Sequence, residues 1–124
     1  MAVVVASGRV LMIRRRVQEG RLSWAFPGGK IEPSETAEAA AVREAGEEAR
    51  VTVEAVQVLG ERTHPDTGRR LVYVACRLVS GIATVGSGRE VSEVAWVSRS
   101  GLTVLVPHGL YEPVHDYLGG VLGD

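Results

Sequence analysis

Apolar positions in this 124-residue chain come in short runs whose period changes along the sequence. "AVVVA" at 2–6 and "RVLMIRR" at 9–15 are rich in β-branched residues and flank Ser7-Gly8, which predicts two strands joined as a hairpin. "VQEGR" at 17–21 reads as a loop, and "LSWAF" at 22–26 as a short strand stopped by Pro27-Gly28-Gly29. The period then changes, and residues 36–49 predict a helix. Thr36 is a fitting N-cap, and Glu38 falls in the first turn, where the helix dipole favours an anion. Ala37, Ala40, Ala41, Ala45 and Ala49 supply helix propensity and a flat face for close packing. The β-branched run 51–63 predicts a strand, 64–68 a turn, and 69–79 a returning strand apolar enough to be central. "VSEVAWV" at 91–97 alternates as a half-buried strand, followed by a short helix near 99–105 and a last one near 109–122. Hairpins indicate a mixed sheet, and helices ahead of and behind it imply a three-layer α/β architecture.

The length fits one domain, taken as residues 1–124. A composition of 45% hydrophobic and 23% charged residues is that of an ordinary globular chain. The net charge of −1 creates no global field, so neither a nucleic-acid polymer nor a membrane is expected as a partner. Thirteen of the fourteen basic residues are Arg, the exception being Lys30, which reads mainly as genomic composition bias. Cys76, the only cysteine, excludes an internal disulfide and sits in the apolar run "LVYVAC", where a buried, inert thiol is expected. No run approaches ~18 apolar residues. "AVVVA" precedes the arginines, the reverse of a secretory leader, so a cytoplasmic location is expected.

"REAGEEAR" at 43–50 changes the picture. On a helix Glu44, Glu47 and Glu48 are i, i+3 and i+4, within one turn on one face. Like charges there repel by a few tenths of a kcal/mol per pair, or roughly 0.2–0.5. A solvated acidic face is one reading, and three oxygen ligands for a hard divalent cation is the other. Spacing alone leaves both open. The preceding "FPGGKIEPSE" adds glycines that permit close backbone approach, and Glu35 within reach of Arg43. A bidentate Arg43–Glu35 bond would hold this loop over the helix.

Taken together, Gly29, Glu35 after five residues, Arg43-Glu44 after seven, then Ala45, Glu47-Glu48 and Val51 resemble the Nudix box. The resemblance is specific, because the fixed positions are many and every charged one matches. It implies a Nudix-type α/β/α sandwich with a central mixed sheet over nearly the whole chain. One position departs: Arg50 stands where the pattern has Gly. A left-handed residue is common after a helix end, and Arg there would either cost about 1 kcal/mol or give a slightly different turn.

By this resemblance, Glu44, Glu47 and Glu48 bind Mg²⁺, with Mn²⁺ as an alternative, and the carbonyl of Gly28 or Gly29 is a further ligand. Water would attack a phosphorus of a nucleoside diphosphate linked to another group. Glu44, Glu47 and Arg43 belong to the implied catalytic set. The general base is a box glutamate or one in a later loop, where Glu90 in "GSGRE" is favoured and Glu93 reads as structural. Strand alternation sends Arg14 and Arg16 to one face and Arg15 to the other. Arg14 and Arg16 are taken as phosphate contacts, with solvated strand-end charges as the competing reading.

"FPGGKIE" and "YEPVHDYL" are similar to MutT-type nucleoside triphosphate pyrophosphohydrolases, which release a monophosphate and pyrophosphate. Tyr111 stands where members that clear oxidised dGTP carry a base-reading Asn. Tyr111 and Phe26 are therefore candidates for substrate contact, as is Trp24, each with core packing as the alternative. His64 reads as a turn residue or a substrate contact. Pro65, fourteen residues after Val51, suggests the ADP-ribose pyrophosphatase branch, although a turn explains it equally. A nucleotide-sugar pyrophosphatase is a related alternative. A Nudix-fold module that binds a nucleotide without hydrolysing it is the alternative from another class. The expected partner is a small nucleotide, and the chain is read as a monomer or homodimer.

Overall fold

The turn at Ser7-Gly8 sets the local geometry of the sheet. Ser7 and Gly8 have φ of 51° and 74°, the pair of positive angles that a two-residue hairpin turn of matching twist requires. The computed structural model describes residues 1–16, 22–64, 67–86 and 90–124. The loop expected at 17–21, Pro65 of the expected turn, and 87–89 of the Gly-rich loop lie outside the described residues. In chain order the elements are β1 (Ala2–Ala6), β2 (Arg9–Arg16), β3 (Leu22–Ala25), α1 (Ala37–Ala49), β4 (Thr52–Thr63), β5 (Arg70–Ser80), β6 (Val91–Val97), α2 (Arg99–Leu105) and α3 (Glu112–Val121). The last helix starts later than its sequence pattern suggests. Gly109 has φ of +87°, outside helical space, and Pro113 fits the first turn.

Among the described residues, six strands form one mixed sheet. β1 pairs antiparallel with β2 (Val5 opposite Val10) and parallel with β5 (Val3 opposite Ala75), while β4 pairs antiparallel with β5. β2 is the branching strand. Its start pairs β1, its end pairs β3 antiparallel, and β6 runs antiparallel along its other edge.

Both faces of this sheet are covered, so the strands carry apolar residues on both sides. Ala2, Val4, Leu11, Ile13, Val72, Val74 and Cys76 pack toward Ala41, Ala45 and Ala49 of α1. Val3, Val10, Met12 and Tyr73 pack toward Leu102 of α2 and Val114 and Leu118 of α3. The three-layer α/β/α arrangement follows. Cys76 is 2% exposed, and burial pushes its thiol up to about 11, so it is inert as expected. Among the described residues no helix is long and apolar enough to cross a membrane.

α1 is fixed at both ends. Thr36 Oγ1 accepts the Ala39 N–H at 3.0 Å. At the other end the carbonyls of Glu48 and Ala49, which have no partner within the helix, accept the N–H groups of Gly86 and Thr84 at 3.0 Å each. Gly86 is required there, since a Cβ would lie 2.0 Å from the Glu47 carbonyl oxygen. Arg50 caps the helix in left-handed geometry, φ 55° and ψ 36°, donating its N–H to the Gly46 carbonyl. Its side chain therefore bears the strain expected where the family pattern has Gly. Arg50→Gly removes roughly 1 kcal/mol of strain but adds unfolded-state entropy. A net gain of about 0.5 kcal/mol is expected, read as a small rise in Tm. A fall in Tm would mean that the arginine side chain contributes more than its backbone costs.

Candidate active site

Arg43 is the hub that joins the loop before α1 to the helix. Its Nε and Nη2 fork onto the Glu35 carboxylate at 2.8 and 2.9 Å, and Nη2 also donates to the Lys30 carbonyl at 3.0 Å. Its Nη1 reaches Glu44 Oε1 at 2.7 Å and Glu47 Oε2 at 3.3 Å. One guanidinium thus gathers three carboxylates and a loop carbonyl. Hydrogen bonds from Arg43, helped by the Glu32 N–H, hold the Glu35 carboxyl down at about 2 from an ordinary 4.5. A carboxylate with a depressed folded-state pKa stabilises above its unfolded value and loses that effect as pH falls. The stability difference between wild type and Glu35→Gln should therefore shrink as pH drops from about 4.5 and vanish only below about 2. Thermal melts across this window check it.

Glu48 behaves differently from its two neighbours. It is 5% exposed and turned inward, its Oε1 accepting the Gly28 N–H at 2.7 Å. Its Oε2 is ion-paired with Arg15 Nη2, which also donates to the Gly28 carbonyl at 2.8 Å. Burial pushes the Glu48 carboxyl upward, while Arg15 and the Gly28 N–H oppose that shift. The β2 arginines divide between the two faces of the sheet. The one that reaches the carboxylate cluster is Arg15, on the face of Leu11 and Ile13 that packs against α1. Arg14 instead pairs with Glu93 across the β2–β6 ladder at 2.7 Å, which gives Glu93 the structural part expected of it. Alternation separates Arg14 and Arg16 from Arg15, so Arg14 and Arg16 leave β2 on the opposite face from Glu48.

The fit to a divalent cation is set by the donors. Glu44, Glu47 and Glu48 offer hard carboxylate oxygens, and Gly28 and Gly29 offer carbonyls, the ligand chemistry of Mg²⁺. Gly29 lies so close to Glu44 that a Cβ there would meet its Oε1 at 2.7 Å, so a side chain at 29 would push the Glu44 carboxylate aside. Among the described residues no three acidic, His or Cys side chains converge as a finished cage. Arg43 holds Glu44 and Glu47, while Arg15 holds Glu48. The donor set fits a cation, and two arginine cations neutralise parts of it.

A cleft of about 510 Å³ opens beside Gly29, lined by Lys30, Ile31, Arg69 and Arg70. Arg70 is paired with Glu61 across the β4–β5 hairpin. The sequence reading missed this basic wall. Its one signal was a pair of arginines closing a turn, which says nothing about the distant loop it faces. A second cavity, about 270 Å³ between α2 and α3, is lined mostly by apolar residues such as Leu102, Val106 and Leu118. It lies on the far side of the sheet from α1.

The aromatic candidates pack inside. Phe26 is 4% exposed and meets Tyr73 edge-on, centroids 6.4 Å apart, within the core beneath α2 and α3. Tyr111 stacks on Tyr73 at 5.1 Å, lies under the Arg62 guanidinium, and donates its hydroxyl to the Glu61 carbonyl at 2.9 Å. Phe26 thus lies in the core, and Tyr111 packs partly buried against it. Trp24 is half-buried against the same cluster. His64 shapes the β4–β5 turn, its Nδ1 accepting the Thr67 N–H at 3.3 Å. Glu90 has an exposed side chain, and its carbonyl accepts the Arg16 N–H at 2.8 Å.

A sandwiched mixed sheet carrying a loop–helix platform of glycines and glutamates defines a Nudix-type hydrolase fold. A family model for the NUDIX domain matches residues 1–116, and the chain belongs to the Nudix family. It is similar to a MutT-like protein of Streptomyces ambofaciens, 32% identical over 96 residues, which cover 77% of this chain and 59% of that protein. Among solved structures it resembles a MutT NUDIX hydrolase from Burkholderia pseudomallei, with a TM-score of 0.69 and 27% identity, covering 97% of this chain and 93% of that one. It also resembles an ADP-ribose pyrophosphatase from Streptococcus suis, with a TM-score of 0.63 and 25% identity, covering 78% and 69% of the two chains. The chain thus spans 59% of the length of its Streptomyces relative. Nudix hydrolases generally use divalent metal ions and act on small nucleotide substrates.

Proposed function

We propose that this chain is a Mg²⁺-dependent, MutT-like hydrolase that cleaves a nucleoside triphosphate to the monophosphate and pyrophosphate. The observation that carries the reading is the Arg43 hub, which brings Glu35, Glu44, Glu47 and the glycine loop onto one platform. Glu44, Glu47 and Glu48 would hold the cation with the carbonyls of Gly28 and Gly29. When bound, such an ion supplies charge neutralisation for phosphate oxygens and a more acidic water. The remaining work falls to the chain. Arg43 tethers Glu35, Glu44 and Glu47 to the loop, which limits how far those carboxylates move when a cation gathers them. Water adds to one phosphorus of the α–β anhydride, the bridging P–O bond breaks, and the water's proton passes to a carboxylate base. Glu47, about half exposed, and Glu90, also exposed, are the candidate carboxylates for that proton.

The basic cleft favours a polyphosphate over a neutral ribose. Lys30, Arg69 and Arg70 beside Gly29 suit the charged leaving pyrophosphate. The double variant Lys30→Ala, Arg69→Ala should raise KM for a triphosphate by roughly 10-fold, about 1.4 kcal/mol, with kcat little changed. Steady-state kinetics at two salt concentrations check it, since the effect should shrink as salt rises. The second reading, an ADP-ribose pyrophosphatase, is favoured by the Streptococcus suis likeness. A panel of unmodified and oxidised dNTPs, CTP, ADP-ribose and nucleotide sugars decides between the two by kcat/KM. Preference for a triphosphate supports the proposal, and preference for ADP-ribose overturns it. Nucleotide binding with no turnover of any compound would make the chain a binding module.

A further inference from the structure

Arg15 occupies two of the oxygens that the metal reading needs. Its Nη2 bridges Glu48 Oε2 and the Gly28 carbonyl, a buried carboxylate and a loop carbonyl, which are the donors assigned to a cation. Its own bonding is incomplete. Among the described residues Arg15 Nε is buried without an acceptor, whereas Arg43 uses Nε, Nη1 and Nη2 together. An arginine with only a structural task would be expected to satisfy that donor. Glu48, for its part, is too buried to stand without a positive neighbour.

We propose that Arg15 is a resident counter-ion of the metal site, a positioning residue that stands in for the divalent cation when none is bound. This rests on the assignment of Glu48 and the Gly28 carbonyl as cation ligands. The guanidinium keeps both oxygens in place and lets the site fold without metal. A cation binding to the same oxygens must displace it. The free protein therefore binds metal more weakly than its carboxylates alone would allow. A substrate phosphate offers Arg15 a new partner, so nucleotide and metal bind with positive coupling.

Mn²⁺ binding followed by electron paramagnetic resonance, without nucleotide, tests this on wild type, Arg15→Met and Glu48→Gln. Arg15→Met should bind Mn²⁺ roughly 10-fold more tightly than wild type. Its metal-free Tm should fall and be restored by Mn²⁺, because Glu48 is left buried beside no cation. Equal or weaker Mn²⁺ affinity in Arg15→Met, with binding still lost in Glu48→Gln, overturns the inference and leaves the metal site standing. Binding unchanged in Glu48→Gln removes the ligand assignment and the inference with it. Should Arg15→Met not fold, the wild-type Arg15 Nε–H resonance serves instead. Saturating Mg²⁺ should shift it and speed its solvent exchange, and a resonance that Mg²⁺ leaves unmoved overturns the proposal.

Discussion

Glu47→Gln is expected to lower kcat by roughly 10²- to 10⁴-fold while leaving Tm nearly unchanged. The two halves of this expectation come from the same geometry. The Glu47 side chain is 53% exposed, and its bond to Arg43 Nη1 is long at 3.3 Å. Gln keeps the shape and can still accept from Arg43, so folding loses little. It cannot ligate a cation with full charge or take a proton from water. The expected kinetic signature is an equal fall in kcat and kcat/KM, which marks an interaction made in the transition state. A rise in KM alone would place Glu47 in ground-state binding instead.

Arg43→Lys is expected to affect stability and activity together. The guanidinium forks onto Glu35, reaches Glu44 and Glu47, and holds the Lys30 carbonyl. An ammonium is a point charge and cannot hold these partners from one plane. Glu35 loses its bidentate partner, the loop carrying Gly28 and Gly29 loosens over α1, and Glu44 is freed beside Gly29. Displacing catalytic oxygens by about 1 Å costs roughly 10²-fold in rate, so kcat should fall by at least that much. Tm should fall as well, most above pH 4.5, where Glu35 is ionised in both states. Circular dichroism melts with parallel kinetics separate this from Glu47→Gln, which should lose rate alone.

The parts legible in the sequence were those fixed by local chemistry. The Thr36 cap, the alanine face of α1 and the Arg43–Glu35 fork all depend on residues within one loop and one helix. The left-handed Arg50 followed from its place after a helix end. The choice among Arg14, Arg15 and Arg16 was not legible, for a physical reason. Val10 and Met12 are as buried as Leu11 and Ile13, so β2 has no polar face to show which side α1 covers. Alternation put Arg15 apart from its neighbours correctly, but only the packed helix shows that its side is the carboxylate side. Glu48 illustrates the same limit. Helical spacing put it beside Glu44, but its inward turn depends on Arg15 and Gly28, which lie far off in sequence. Phe26 and Tyr111 have side chains that serve a pocket or a core equally well, and only their contacts with Tyr73 place the first in the core and the second against it.

The central claim is that the α1 carboxylates form a metal-dependent site for breaking a nucleotide's phosphoric anhydride. ³¹P NMR of a nucleoside triphosphate incubated with the protein and Mg²⁺ in ¹⁸O-water tests it most directly. The account predicts monophosphate and pyrophosphate, with ¹⁸O in one of the two products, and no turnover after chelation or in Glu47→Gln. Release of orthophosphate and a diphosphate, or turnover indifferent to chelation, would contradict it.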